Sequence, residues 1–112
     1  MQFSTEQKPS YTLVKISGRL DTRSSDALQD SLCTLIHQNV RAIIIDCSVI
    51  DYLSSAGMRA FFVATKESEK TGCKIAFFGF SKPVADMMHA ARVDKYLATF
   101  SDKVTAEKFI AE

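Results

Sequence analysis

Ala42-Ile43-Ile44-Ile45-Asp46-Cys47-Ser48-Val49-Ile50-Asp51-Tyr52-Leu53-Ser54-Ser55-Ala56-Gly57-Met58-Arg59 carries most of the information in this chain. Its opening run, Ala42 to Ile45, is apolar without alternation, the pattern of a strand buried on both faces of a parallel or mixed sheet. After Ser54 and Ser55 the pattern becomes helical and continues to Thr71, with Met58, Phe61, Phe62 and Ala64 inward. Lys66, Glu67, Glu69 and Lys70 then make it polar, and Gly72 is placed to end it in a left-handed conformation. Two adjacent hydroxyls therefore stand where a buried strand turns into a helix. The first N–H groups of a helix lack intrahelical partners and carry the positive end of its dipole. A serine there either caps the helix or is presented for modification, and a phosphate would be electrostatically welcome. The local sequence leaves both roles open.

Working outward, Met1 to Ser4 suits a short edge strand and Glu6 to Ser10, with Pro9, a turn. Tyr11 to Ile16 is β-rich and ends at Ser17-Gly18. From Arg23 the spacing of Leu28, Leu32, Leu35 and Ile36 predicts a helix, closed by Asn39. Downstream, Lys74 to Phe80 is an apolar strand, and Ser81-Lys82-Pro83 opens a helix with Val84, Met87, Met88 and Ala91 on one face. Tyr96 to Phe100 reads as a last short strand and Asp102 to Ala111 as a last helix, with Phe109 and Ile110 inward. The order β-β-α-β-α-β-α-β-α predicts an α/β fold: one domain over residues 1–112, a mixed, mostly parallel sheet of about four to five strands, four flanking helices and right-handed crossovers.

At 112 residues and 46% apolar content the chain supports one core. A net charge of +1 with scattered basic residues provides no field for nucleic acid or an anionic membrane. No apolar stretch approaches the roughly 18 residues of a membrane span, and no leader-like segment is visible, so a soluble, cytoplasmic location is expected. Cys33, Cys47 and Cys73 show neither C-x-x-C nor any metal-ligand spacing and read as free thiols; no metal or cofactor is expected. Glycine-rich phosphate loops and a G-x-S-x-G elbow are absent. His37 and His89 lie in helical segments without an obvious acidic or serine partner, and Asp46 and Asp51 read as solvated acids. The chain offers a hydroxyl without means to activate it, which points away from an enzyme. If Ser55 is modified, another protein must supply the base, the metal and the nucleotide.

Gly18-Arg19-Leu20-Asp21, the helix with Ala27 and Leu28, Ile43-Ile44-Ile45-Asp46 and Ile50 through Arg59 together resemble a STAS domain (sulphate transporter and anti-sigma antagonist). More narrowly, the chain resembles a stand-alone bacterial anti-sigma-factor antagonist over nearly its whole length. The resemblance implies a partner switch. The unphosphorylated antagonist binds a serine-kinase anti-sigma factor and releases its target. The kinase phosphorylates a serine at the start of the second long helix, and a phosphatase of the PP2C type restores the first state. Aligned on Gly57, that serine is Ser55, with Ser54 the second choice, and the loop acid facing the kinase is Asp21. Ser54, Gly57, Met58 and Arg59 beside it are the expected contact residues, with core packing the competing role for Met58. Many members carry Asp where this chain has Ser54. Two other readings stay open: a STAS docking subunit of a transporter or signalling assembly, and a small hydrolase, which would need His37 or His89 beside Ser55. The balanced surface suits a monomer when unbound.

Overall fold

A computed structural model of residues 1–112 contains β1 (Gln2–Gln7), β2 (Thr12–Leu20), α1 (Thr22–Ile36), β3 (Ala42–Leu53), α2 (Ser55–Thr71), β4 (Lys74–Phe78), α3 (Lys82–Ala90), β5 (Thr99–Phe100) and α4 (Lys103–Ala111). A 3-10 turn, Val93–Tyr96, links α3 to β5. The strands lie side by side in chain order; β1 runs antiparallel to β2, and the other neighbours are parallel. Each parallel step advances to the next position through one helix. Right-handed crossovers then place α1, α2 and α3 on the same face, and α4 comes after the last strand onto the other.

Two cores result. Val14, Ile16, Ile43, Ile45, Ile75 and Phe77 from the sheet meet Leu28, Leu32, Ile36, Phe61, Ala64 and Met88 from the three helices. On the opposite face Tyr11, Ala42, Ile44 and Ala76 meet Ala106 of α4, edged by half-buried Phe78, Phe100, Phe109 and Ile110. Ala42 to Ile45 therefore alternate between two cores rather than between core and water. That is why the run is unbroken.

The α/β class, the mixed sheet and the four helices agree with the sequence, and the differences have local causes. From the sequence only the first four residues of β3 stand out, yet the strand continues to Leu53. Its residues packed against α1–α3 are Ile43, Ile45, Cys47, Ile50 and Leu53, spaced by two, two, three and three. The three-residue steps fall where the register to β2 shifts, between Lys15/Ser17 and Gly18/Arg19. Each shift inserts one extra β3 residue, a bulge that hides the strand from a period-two search. β2 does not stop at Ser17-Gly18; Gly18 takes φ +92° and the strand runs on to Leu20. β1 extends to Gln7, β4 ends at Phe78, and β5 is only Thr99–Phe100 because Val93–Tyr96 turns instead. Phe62 and Met87 are half-buried and Ala91 is exposed, so three of the expected inward positions lie at the rim. No helix is long and apolar enough to cross a membrane.

Tyr11, buried at the start of β2, donates a hydrogen bond of 2.6 Å to Glu107 Oε2 and so ties α4 to the sheet. Burial, then the Glu107 carboxylate, push the phenol up to about 12. A pKa raised on folding contributes stability that is complete below the unfolded value, near 10, and is lost as pH rises through the folded one. Tyr11→Phe should cost about 1 kcal/mol in urea unfolding at neutral pH. The gap between the two proteins should narrow from about pH 10 to 12; a gap that stays constant over that range assigns the loss to packing alone.

Candidate functional site

β2 and β3 finish level with each other. Leu20 pairs with Leu53, and the Ser54 N–H donates to the Leu20 carbonyl at 2.9 Å. The residues that follow each leucine, Asp21 and Ser54, are therefore the N-caps of α1 and α2, whose first turns lie side by side. Asp21 forms a reciprocal capping box. Its carboxylate accepts from the Ser24 N–H at 3.0 Å, and its own N–H donates to Ser24 Oγ at 3.1 Å. The hydrogen bonds from Ser24 hold the Asp21 carboxyl below the usual carboxylate range.

Ser54 Oγ accepts from the Gly57 N–H at 3.1 Å, and the side chain is half-buried in doing so. Ser55 is the first residue of α2, exposed and free of the cap. The capping role that the sequence left open thus falls to Ser54, and the Ser55 hydroxyl stays outside the cap. Ser54 caps; Ser55 is exposed.

The expected contact surface is narrower than the sequence suggests. Gly57 is buried, and a Cβ there would lie 2.7 Å from Leu53 Cδ1, 3.1 Å from Leu20 Cβ and 3.3 Å from Ser25 Oγ. It is the point at which α2 approaches β2 and α1. Met58, 7% exposed, belongs to the larger core. Core packing, the competing role for Met58, is thus the one the fold uses, and Gly57 is enclosed by its neighbours. Asp21, Ser55 and Arg59 are exposed. Ser55, Ala56 and Arg59 face Thr22, Asp26 and Gln29 of α1 across an open groove of about 500 Å³. The α1 side of that groove was missed, although positions 22, 26 and 29 follow the outward i, i+4, i+7 spacing that would have revealed it. On the sheet side, Arg19 lies over the Tyr52 ring at 4.2 Å.

The histidines have partners after all. His37 Nε2 is 3.1 Å from Glu67 and His89 Nδ1 is 2.9 Å from Asp94, acids that local spacing did not reveal. His37 follows the last turn of α1, roughly 22 Å along the helix from its start by the rise per residue, so it makes no dyad with Ser55. His89 lies in the last turn of α3, and no three His, Cys, Asp or Glu side chains gather into a metal-holding group. Cys47 and Cys73 are buried, which pushes both thiols up.

The family model described as the STAS domain matches residues 2–106. The chain belongs to the STAS domain family. It is 25% identical over 89 residues to the anti-sigma-F factor antagonist RsfB of Mycobacterium tuberculosis, spanning 80% of this chain and 72% of that protein. Among solved structures, unphosphorylated SpoIIAA, an anti-sigma factor antagonist, superposes with a TM-score of 0.80 at 15% identity, over 99% of this chain and 98% of that one. An anti-sigma factor antagonist from Mycobacterium paratuberculosis gives 0.83 at 19% identity, over 99% and 94%.

Within this STAS domain the exchange of the more usual Asp for Ser54 has a simple physical content. Asp and Ser are N-cap residues of similar strength, so the helix start is preserved while one negative charge beside Ser55 is removed. Ser54→Ala should therefore lower unfolding free energy by about 1 kcal/mol, whereas Ser54→Asp should leave it near wild type. Equal losses for both variants in urea titrations would show that Ser54 does something other than cap. Gly57→Val should be worse, on the order of 3 kcal/mol, because its branched side chain meets Leu20 and Ser25 as well as Leu53. A thermal midpoint equal to wild type would contradict the close approach of α2.

Proposed function

We propose that this STAS domain is an anti-sigma-factor antagonist that works as a phosphorylation-controlled partner switch in the cytoplasm. Unphosphorylated, it binds a serine-kinase anti-sigma factor through the surface around Asp21, Ser55 and Arg59 and releases that factor's target. Phosphorylation on Ser55 ends the interaction, and a PP2C-type phosphatase restores it. One observation carries the reading: Ser55 is exposed and uncommitted on a helix whose cap is supplied by a different residue. It is supported by the relatives' names and by a further fold match, TM-score 0.71 at 14% identity, to SpoIIAA of Bacillus in its phosphorylated form.

The physics of the modification points outward. A phosphate adds roughly −1.5 to −2 charges at neutral pH. On the first residue of a helix that charge is favourable, by about 0.3–1 kcal/mol when exposed, so α2 stays folded. The helix is not what changes. The partner meets a dianion beside Asp21 and Asp26, and burying it unpaired at an interface costs several kcal/mol, enough to weaken binding by orders of magnitude.

Ser55→Ala should bind the cognate kinase and accept no phosphate, while Ser55→Asp should bind at least tenfold more weakly. Intact mass and peptide mapping after incubation with ATP and the kinase encoded nearby check the site; calorimetry checks the affinities. Phosphate on Ser55→Ala at the wild-type rate would refute the assignment. No phosphate on wild type, with the kinase active on another substrate, would replace the switch with a docking subunit.

A further inference from the structure

Arg59 is the arginine one helical turn beyond Ser55, and it lines the same groove. It is exposed and takes part in none of the ion pairs, all of which use Lys or His as the cation. Of the other cations, Arg23 lies on the neighbouring first turn of α1 and outside the groove lining, and the rest on this side of the fold are engaged elsewhere. Arg19 covers Tyr52, Lys66 pairs with Glu69 at 3.7 Å, and Lys70 pairs with Glu67 at 3.1 Å. Side chains on a helix lean toward its N-terminus, so a long residue at i+4 extends back over position i. A guanidinium has the planar fork that matches two phosphate oxygens, which an ammonium lacks.

Resting on the switch reading above, we infer that Arg59 is the residue that reads the modification: it pairs in cis with a phosphate on Ser55 and holds it along the α2 wall of the α1–α2 groove. The charged groups facing that phosphate are Asp26 from α1 and Arg59 from its own helix, with Asp21 and Arg23 on the neighbouring first turn. Asp26 opposes the phosphate, and Arg59 is the cation in the groove lining that offsets it. The pairing has a second effect. With Ser55 unmodified, Arg59 is free to meet an acidic side chain of the partner. With Ser55 phosphorylated, that cation is occupied. Phosphorylation therefore adds a negative charge and withdraws a positive one in the same step.

The experiment needs neither kinase nor partner. Phosphoserine is incorporated genetically at position 55, and the ³¹P chemical shift is followed against pH. The second phosphate ionisation should lie about half a pH unit lower in the wild-type background than in Arg59→Gln, with Arg59→Lys between them. The helix dipole is common to all three and cancels. Lys66→Gln, two turns beyond Arg59 on the same helix, should leave the titration unchanged. The difference should shrink at about 1 M salt, where screening acts within roughly 3 Å. An Arg59→Gln curve that overlays wild type overturns the inference, as does a shift in Lys66→Gln as large as that in Arg59→Gln, which would mean a diffuse field. Because the phosphate is installed without a kinase, either result leaves the switch reading standing. Conversely, a kinase that ignores Ser55 refutes the switch without moving the titration.

Discussion

Leu20 and Leu53 stand opposite each other at the carboxyl ends of adjacent parallel strands, and the site depends on that alignment. It is not inherited from the start of the strands. Thr12 pairs with Ile43 and Leu20 with Leu53, so β3 uses two more residues than β2 to cover the same distance. The two bulges absorb them. The first turns Ile50 rather than Val49 onto the helix side, and the second restores the original alternation at Leu53. With the strands level, the Ser54 N–H reaches the Leu20 carbonyl and two helices begin next to each other. Gly57 then allows α2 to settle against Leu20 and Ser25. Without the bulges β3 would overrun β2 by two residues, and the Ser54 N–H would no longer meet the Leu20 carbonyl.

The two serines occupy neighbouring positions but different environments, and backbone geometry separates them. An N-cap residue has extended backbone and can turn its side chain onto the third N–H; Ser54, at φ −75° and ψ 170°, does so. The residue after it is already helical and has no such option, so its hydroxyl is left to solvent. Adjacent identical side chains thus acquire unlike chemistry from one change of ψ. A phosphoacceptor at this position can be modified without removing the group that starts its own helix.

How much of this was legible in the sequence follows from which interactions are local. The order of elements, the doubly buried run Ala42–Ile45, the start and end of α2 and the two possible roles of Ser54-Ser55 rest on residues close in sequence, and they were readable. The second half of β3 was not, because bulges replace the period-two signal with steps of three. The burial of Gly57 depends on Leu20 and Ser25 from other elements, and the pairing of His37 with Glu67 joins α1 to α2. Neither has a local signature. The resemblance supplied Asp21 through a motif, while the structure supplies the physical reason for an acid there: a capping box with Ser24.

A switch built on this scaffold has little freedom to respond by changing shape. The sheet is covered by α1, α2 and α3 on one face, and on the other α4 packs against β4 and the start of β3. Close-packed layers of this kind are bistable only where an alternative packing exists, and the start of α2, capped by Ser54 and wedged at Gly57, has no slack for one. On the proposed reading, information written on Ser55 must therefore be carried in charge and contact at the surface. That fits the placement of the acceptor beside a free arginine and an acid on the facing helix, where one phosphate rearranges the local electrostatics. It also explains why the hydroxyl needs no activating neighbours in this chain. On that reading the chemistry belongs to the partner, and the domain's part is to hold one oxygen atom in an open position.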